Sequence, residues 1–135
     1  MQRPDLFGVV LASVGVMDML RFNLWGQGAG WEGDYGDPQN PNNFKALYAY
    51  SPYHNVHPGT NYPAMFIVTG DHDARVMPAH SFKFAAALQA AQAGSAPILL
   101  RVQHSAGHGG GATISQSINE KTDTYAFLFA NLGME

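Results

Sequence analysis

The sequence predicts an α/β protein with a mostly parallel sheet and helices on both faces. Three apolar runs, at residues 7–14, 63–69 and 97–103, have the length and β-branched content of buried strands. A segment with helical character follows each run, and Gly- and Pro-rich loops separate the elements. Strands that alternate with helices favour parallel pairing, because a parallel neighbour needs a crossover connection.

The first elements in chain order are a strand and a short helix between two long loops. The apolar run at 7–14 predicts a strand that is buried on both faces. A loop rich in Gly, Pro, Asn and Asp covers residues 26–43, and loops of that length inside compact domains are usually functional or disordered. A helix is expected over 43–50 with Asn43 as its N-cap, before a second loop at 51–61.

Two longer helices follow the second and third predicted strands. Pro78 suits the first turn of a helix, and apolar spacing continues from there to Gly94, a natural C-terminal stop. The last helix is predicted to be amphipathic and to end at Gly133. Its apolar positions keep helical spacing: Ile114, Ile118, Tyr125, Leu128 and Leu132.

Composition limits the classes of function. The chain has 135 residues, 46% of them hydrophobic and 13% charged, which is typical of one globular domain whose surface is partly covered. A net charge of −3 without a basic cluster argues against nucleic acid or an anionic membrane as a partner. The absence of cysteine excludes disulfides and thiolate metal sites. The N-terminal residues lack the pattern of a signal peptide, and no apolar run is long enough to span a bilayer. Because a targeting segment upstream of Met1 would not be visible here, the localisation stays open.

Polar residues follow two of the predicted strands. Asp71, Asp73 and Arg75 come directly after the second strand, and His104 and His108 come after the third. In open parallel sheets ligands bind beyond the carboxyl ends of the strands. We therefore expect these side chains to lie around one crevice.

A carboxylate after one strand and a histidine after the next match the Asp…His half of a hydrolase triad in the order Ser…Asp…His. Asp73 would orient the imidazole of His108, which would activate a serine. From spacing alone, Asp71 competes with Asp73 and His104 competes with His108, although the glycines after His108 favour the latter. The structural alternative is that Asp73 forms a turn or caps a helix and that His108 is a solvated loop residue.

No convincing nucleophile motif precedes Asp73. The segment 11–15 is nearest to Gly-x-Ser-x-Gly, but it has leucine in place of the first glycine and no clear helix follows. Ser13 is therefore better interpreted as a residue at the end of a buried strand. Ser105, three residues before His108, has no suitable context either. The sequence thus predicts the C-terminal part of a serine peptidase whose nucleophile lies elsewhere.

A metal site is the rival chemistry for the same residues. His104 and His108 with Asp71, His72 and Asp73 offer imidazole and carboxylate ligands that zinc accepts. A Gly-rich loop, however, does not place two histidines of i,i+4 spacing on one face as a helix would. We therefore expect no metal.

Other polar and aromatic residues leave two interpretations each. Arg75 would hold a substrate carbonyl or carboxylate, or else form a salt bridge with Asp71 or Asp73. Trp31 and Tyr35 would form an apolar wall for a flat ring, or else anchor their loop to the core. Three further histidines carry no motif and are expected to be structural or exposed: His54, His57 and His80.

Six segments, in order along the whole chain, resemble the prolyl oligopeptidase family. They are residues 2–8, 14–22, 31–36, 50–56, 71–81 and 106–109. The resemblance implies an α/β-hydrolase fold, of which residues 1–135 would be the C-terminal portion of the catalytic domain. The nucleophile-bearing part and the family's β-propeller would be absent from this chain.

The resemblance also implies roles for individual residues. Asp73 matches the family's triad aspartate and His108 its histidine. Arg75 matches the arginine that binds the carbonyl before the proline, and Trp31 matches the indole that stacks on the proline ring. Other walls of that pocket match Tyr35, Val16 and Val76. Shape and stacking must select proline, because its ring nitrogen carries no hydrogen to recognise.

The implied function is a serine endopeptidase that hydrolyses short peptides on the carboxyl side of proline, without cofactor or metal. The expected partners are short proline-containing peptides and the missing N-terminal part of the same protein, not nucleic acid or membrane. The serine and the oxyanion donors would lie upstream of Met1, so the chain alone is expected to be inactive. A related dipeptidyl- or acylaminoacyl-peptidase is an alternative, which the pair Trp31 and Tyr35 disfavours. A non-catalytic binding or assembly module is the alternative of another class.

Overall fold

The computed structural model describes residues 1–109 and 113–134, and it contains a three-stranded parallel sheet with helices around it. The strands are β1 (Val9–Ser13), β2 (Ala64–Gly70) and β3 (Ile98–Gln103). They lie side by side in the order β1-β2-β3, with β2 in the centre. The three predicted strands and their parallel pairing are confirmed, with the first strand two residues shorter at its start than the apolar run.

Four α-helices and four short 3₁₀ turns make up the other regular elements of the described residues. The α-helices are α1 (Glu32–Tyr35), α2 (Pro41–Tyr50), α3 (Ala79–Ala91) and α4 (Ile114–Leu132). The 3₁₀ turns are Pro4–Leu6, Phe22–Leu24, Gly28–Trp31 and Tyr53–Asn55. The two predicted long loops therefore contain helical turns. Among the described helices, none combines the length and apolarity that crossing a membrane requires.

The residues of β2 alternate between two apolar clusters on opposite faces of the sheet. Met65 and Ile67 pack in one cluster with Phe84 of α3. On the other face Phe66 stacks on Phe127 of α4, with ring centroids 5.2 Å apart. Each fully buried side chain of this size stabilises the fold by about 1.5–3 kcal/mol. Helices on both faces of a parallel sheet are thus confirmed, and they explain why every residue of β2 is buried.

The predicted burial of the first strand on both faces is wrong. Leu11 is 45% exposed, and Ser13 is exposed as well. The reason is position: within the described residues β1 has one hydrogen-bonded neighbour, β2, and its other edge is open. β1 therefore keeps a row of backbone groups available for pairing.

The helix α2 begins earlier than the sequence indicates, and its cap is Asn40 rather than Asn43. The Asn40 side chain accepts a hydrogen bond from the backbone N–H of Asn42 at 3.0 Å. Pro41 then occupies the first helical position, where its missing N–H costs nothing. The cap therefore lies three residues before the predicted one, and the helix starts two residues earlier than predicted.

The helix α3 ends at Ala91 instead of continuing to Gly94. Gln92 has extended backbone angles, φ −60° and ψ 121°, and so stops the helix. Its side chain bonds both the N–H and the carbonyl of Tyr62, at 2.9 and 3.0 Å. These contacts tie the end of α3 to the segment that leads into β2.

The helix α4 has the predicted bounds, but its apolar stripe does not face the core. Thr113 and Gln116 form a capping box at its start, and Gly133 ends it in the left-handed region with φ 65°. The buried contact of α4 with the sheet comes from Phe127. Most of the predicted stripe is exposed instead: Ile114, Ile118, Tyr125 and Leu132.

Candidate active site

The loops after β2 and β3 lie against each other at the carboxyl edge of the sheet. The Asp71 N–H donates to the carbonyl of Gln103 at 3.1 Å, and the His72 N–H donates to the carbonyl of Ala106 at 3.0 Å. These bonds extend the β2–β3 pairing beyond the strands. The polar residues that follow β2 and those that follow β3 therefore lie close together at this edge of the sheet.

Gly70 lets the two loops approach each other this closely. A Cβ atom at this position would lie 2.6 Å from the carbonyl oxygen of Gly107, and even nearer to that of Ala106. Ala106 is itself buried, at 4% exposure. The backbone that precedes His108 therefore packs directly on the end of β2.

Asp73 and His108 form a hydrogen-bonded pair, with Nδ1 of the imidazole 2.8 Å from Oδ2 of the carboxylate. The other oxygen, Oδ1, accepts the backbone N–H groups of Arg75 and Val76, each at 2.9 Å. The Asp73 side chain is fully buried, whereas that of His108 is 28% exposed. A carboxylate held this way fixes the tautomer with the proton on Nδ1, which leaves Nε2 free to act as a base.

The competing residues Asp71 and His104 form a separate pair, in which the Asp71 side chain is 27% exposed. Asp71 accepts from Nδ1 of His72 at 2.7 Å and from Nδ1 of His104 at 3.1 Å, and it receives the Ala106 N–H at 3.4 Å. The hydrogen bond from His72, with further bonds from His104 and Ala106, lowers the pKa of Asp71 to about 2. His104 is 85% exposed. Burial, which the sequence does not show, distinguishes this pair from Asp73 and His108.

The histidines and carboxylates of these loops fall into two separate groups. His104 pairs with Asp71, whereas His108 pairs with Asp73. Across residues 1–109 and 113–134, no group of three or more His, Asp or Glu side chains is placed to hold a metal ion. Two of the glycines that follow His108, at 110 and 111, lie outside the described residues.

Ser13 lacks the geometry of a nucleophile elbow. It is the last residue of β1, and the 3₁₀ turn that begins at Phe22 is the next regular element. In the part of the chain that the structure describes, its hydroxyl makes no hydrogen bond with His108. Val14, the next residue, has φ 45°, a conformation that β-branched residues rarely adopt. Ser105 also has positive φ, 56°, and makes no such hydrogen bond in the described residues.

Arg75 lies at the rim of the site with an exposed side chain. Neither Asp71 nor Asp73 forms a salt bridge with it among the described residues, so the predicted structural alternative is wrong. Its carbonyl accepts the N–H of Gln27 at 3.2 Å. Gly26, with φ 58°, packs on the backbone of Ala74 and Arg75. A Cβ atom at Gly26 would lie 2.7 Å from the carbonyl oxygen of Arg75, so a side chain would not fit. The segment that leads to Trp31 therefore lies on the Asp73 loop.

The aromatic residues of the first long loop gather around Phe22, which is fully buried. Trp31 and Val16 are partly buried and pack against the cluster that contains Phe22. The ring of Tyr35 meets that of Phe22 edge to face at 5.4 Å and is 45% exposed. Val76 is buried at 6% exposure. Trp31 and Tyr35 are thus anchored to the core, as the second sequence interpretation expects, while their role as a wall for a flat ring stays a prediction.

The side chain of Asp18 is completely buried, and the sequence patterns did not point to this residue. Its signal was one acidic residue inside the apolar run 16–20. His80 is also buried and accepts the Asp18 N–H at Nδ1, 3.1 Å away. The expectation that His80 is structural agrees with this contact, and His57 is exposed.

Comparison with known proteins extends the similarity over the whole chain. The model of the prolyl oligopeptidase family matches residues 1–135. The chain belongs to the prolyl oligopeptidase family. A prolyl endopeptidase from Elizabethkingia miricola is 48% identical over 134 residues, which cover 98% of this chain and 19% of that protein. The chain thus spans about a fifth of the length of such relatives.

Solved structures of prolyl oligopeptidases share the architecture. A structure from a mechanistic study of two prolyl endopeptidases matches 99% of this chain and 20% of its own, with 44% identity and a TM-score of 0.96. Prolyl oligopeptidase B from Galerina marginata, bound to a 35mer substrate, matches 96% of this chain and 18% of its own, with 34% identity and a TM-score of 0.88. The parallel strands and flanking helices therefore belong to an α/β-hydrolase fold.

Proposed function

We propose that this chain is the C-terminal part of the catalytic domain of a serine endopeptidase that hydrolyses short peptides on the carboxyl side of proline. The observation that carries this proposal is the pair Asp73 and His108, with a buried, doubly anchored carboxylate and a partly exposed imidazole. Its place at the carboxyl edge of a parallel sheet is where such folds bind ligands. Family membership supports the same activity.

In the proposed mechanism His108 accepts a proton and passes it on in each of two stages. Nε2 takes the proton of a serine hydroxyl as its oxygen attacks the carbonyl carbon of the proline residue, and Asp73 stabilises the resulting imidazolium. The imidazolium then gives this proton to the leaving amine as the peptide C–N bond breaks, which leaves an acyl-enzyme. Water then attacks the acyl-enzyme while Nε2 takes one of its protons. The ester C–O bond breaks, His108 returns the proton to the serine oxygen, and the acid is released. No cofactor takes part.

We assign the serine to a segment of the protein outside these 135 residues. Neither Ser13 nor Ser105 is hydrogen-bonded to His108 in the described part of the chain. The Galerina enzyme has been solved with a serine, an aspartate or a histidine replaced by alanine, and these three residues follow one another in that order. This chain would supply the second and third of such a set.

The proposed proline pocket lies beside this pair. Trp31 would stack on the pyrrolidine ring, and Arg75 would bind the preceding carbonyl with its exposed guanidinium. The other proposed walls are Val16, Tyr35 and Val76. The contacts of Trp31 and Val16 with the Phe22 cluster, and the packing of Gly26 on the Arg75 peptide, support a common position for these groups.

The rest of the catalytic domain is the proposed partner of two exposed surfaces. β1 has an open edge in the described sheet, and Leu11 is 45% exposed there. On α4, Ile114 and Ile118 are 81% and 59% exposed. Exposed apolar groups in such a pattern are typical of interfaces. The chain's span of about a fifth of its relatives leaves ample sequence to cover them.

An active-serine probe tests the proposal. A fluorophosphonate should label the longer protein that contains this chain, at a serine outside it, and should leave the isolated 135-residue chain unlabelled. In the longer protein, His108→Ala should abolish labelling and cleavage of a short Gly-Pro amide. Labelling of the isolated chain at Ser13 would overturn the assignment of the nucleophile. A longer protein that neither reacts nor cleaves would favour a non-catalytic module, and release of N-terminal dipeptides or acylamino acids would favour a related peptidase.

Trp31 tests the substrate assignment separately. Trp31→Ala in the longer protein should raise KM for a Gly-Pro amide about fivefold, because the lost stacking is worth about 1 kcal/mol. A Gly-Ala amide should show a smaller change. Phe82→Ala, at another exposed aromatic residue, is the matched control. An unchanged ratio of the two substrates would show that the pocket is misassigned.

A further inference from the structure

Asp18 is a carboxylate without solvent contact in the loop between β1 and the 3₁₀ turn at Phe22–Leu24. Its Oδ2 contacts the Lys83 ammonium and lies 3.4 Å from the Arg21 guanidinium. Burial alone would raise the pKa of Asp18, but the hydrogen bond and charge of Lys83 outweigh it and lower the pKa. The carboxylate is therefore ionised and paired, as a buried charge requires.

Asp18 also belongs to a set of contacts that holds the backbone of its loop. Three consecutive backbone N–H groups of this loop, at residues 18, 19 and 20, are not paired in a helix or sheet, and each donates to a side-chain acceptor. The Asp18 N–H donates to Nδ1 of His80 at 3.1 Å, and the Met19 N–H to Oγ of Ser51 at 3.0 Å. The Leu20 N–H donates to Oδ1 of Asp18 at 3.1 Å. Because buried irregular backbone needs such partners, these contacts define one conformation of the loop.

The cation that balances Asp18 is itself held in place. Nζ of Lys83 lies 4.3 Å from the ring centroid of Tyr53 and 5.1 Å from that of Trp25, which are cation–π distances. His54 lies nearby, with Nδ1 3.8 Å from Oδ1 of Asp18. Burial lowers the pKa of His54, and so do the neighbouring cations, whereas Asp18 opposes them. The charges of the cluster are therefore carried by Asp18 and the two cations.

This loop carries part of the proposed proline pocket. Val16 precedes Asp18 by two residues, and Met19 and Phe22 form the buried cluster on which Val16 and Trp31 pack. Tyr35 adds its edge-to-face contact with Phe22. A shift of the Asp18 loop would consequently move the support beneath both Val16 and Trp31.

We propose that Asp18, through its pair with Lys83, is a positioning residue that sets the proline pocket, an inference that rests on the proposed function. Asp18 does not touch substrate, because its side chain is fully enclosed. The loop with His108 is held by other contacts, those of Asp73 and of Gly70. Loss of the Asp18 charge should therefore change recognition of proline more than the chemical step.

The test is Asp18→Asn in the longer, active protein. The amide keeps the size of the side chain but leaves Lys83 without its counter-charge. KM for a Gly-Pro amide should rise about tenfold with kcat changed less than about threefold, and the preference for Gly-Pro over Gly-Ala should fall. Asp5→Asn is the matched control, since Asp5 forms an exposed ion pair with Arg3 at 2.7 Å and should leave both constants unchanged.

A rescue variant separates positioning from general damage. Lys83→Met alone should also raise KM, because it removes the nearer of the two cations that balance the buried Asp18 carboxylate and leaves it Arg21, which is 3.4 Å away and half exposed. The double variant Asp18→Asn with Lys83→Met removes both charges and should recover most of the proline preference, to within about threefold of the wild type. Ser51→Ala removes the acceptor of the Met19 N–H and the hydrogen bond between Oγ and Nδ1 of His54, which are 2.8 Å apart, but keeps the pair of Asp18 with Lys83. It should shift KM in the same direction by a smaller factor. If Asp18→Asn does not fold, the Ser51→Ala variant tests whether the position of the Asp18 loop affects KM for the Gly-Pro amide.

The outcomes distinguish this inference from the proposed function. A wild-type protein that shows no preference for Gly-Pro overturns the proposed function, and the inference with it. A wild-type preference that persists unchanged in folded Asp18→Asn overturns the inference alone. Equal losses of kcat on both substrates, with KM unchanged and no recovery in the double variant, also overturn it, since they show a purely structural role.

Discussion

The contacts of Asp73 differ from those of an ordinary surface carboxylate. One oxygen receives two backbone N–H groups and the other holds His108, so rotation of the carboxylate would break three hydrogen bonds at once. Asp73→Asn should lower kcat of the longer protein by about a thousandfold or more, because an amide that donates to Nδ1 selects the wrong imidazole tautomer. Asp71→Asn, two residues away, should lower kcat less than about tenfold. Steady-state kinetics of the two variants measures this, and a reversed ranking would show that Asp71 and His104 act instead.

His80 makes stability depend on pH. Burial lowers its pKa, as does Lys83 against the opposing effect of Asp18, so the folded state binds its proton less readily than the unfolded state does. The free energy of unfolding should therefore be highest above about pH 6.5 and should fall as the pH drops through the lowered pKa. His54, whose pKa is also lowered, acts in the same direction. Asp71, with a pKa of about 2, contributes only in much more acidic solution.

Urea denaturation of the isolated chain at about pH 7.5 and about pH 5.5 measures this dependence. His80→Asn is the matched variant, because its side-chain oxygen can still accept the Asp18 N–H but does not titrate. The loss of stability on acidification should be smaller in this variant, with the part due to His54 remaining. Equal losses in both proteins would exclude His80 as a source.

At the scale of elements, the junction of β2 with the His108 loop controls the geometry of the site. Gly70→Ala should push this loop away from β2, because the new methyl would overlap the carbonyls of Ala106 and Gly107. We expect kcat to fall at least about tenfold in the longer protein, since small displacements of catalytic groups are costly. Gly33→Ala is the control, because no atom lies within 4 Å of the Cβ it would add. Unchanged kinetics of Gly70→Ala would mean that the loop position does not limit the reaction.

Elements were predictable where a local signal determines them. The strand β2 is predictable because apolar residues occupy both of its faces. The C-terminal end of α4 is predictable because Gly133 stops the helix there. The start of α2 was missed because Asn40 and Asn43 are both good caps, and only the adjacent Pro41 distinguishes them. The end of α3 was missed because Gln92 bonds Tyr62, thirty residues away in sequence. Contacts of that kind leave no local pattern.

The candidate site shows the same division. Asp73 and His108 were predictable as types of residue after adjacent strands, since the order of strand ends is set by the parallel sheet. Their choice over Asp71 and His104 depended on the family resemblance, because spacing cannot reveal which carboxylate is buried. Asp18 was not predictable, because its distant partners are His80 and Lys83 of α3 and His54 of the 3₁₀ turn after α2. A buried charge is recognisable only once its counter-charge is placed.

At the scale of the whole molecule, the exposed apolar face of α4 sets how the isolated chain behaves. Ile118, Tyr125 and Phe129 are 59%, 54% and 42% exposed on this helix. An isolated molecule can cover such a face by associating with a second copy, in place of the rest of the proposed catalytic domain. We therefore expect the isolated chain to associate as its concentration rises, measured by sedimentation velocity.

Ile118→Lys should weaken this association at least about tenfold, because burying one isoleucine contributes about 1.5–3 kcal/mol. Leu24→Lys is the control, at a residue that is 62% exposed outside α4. In the longer protein the same Ile118→Lys change should lower stability, since the proposed interface is then internal and a buried lysine is costly. An isolated chain that stays monomeric, together with a longer protein indifferent to lysine at position 118, would show that this face of α4 remains in water. The proposed packing of the domain against α4 would then be wrong, while the pair Asp73 and His108 would be unaffected, because its contacts lie within β2, β3 and their loops.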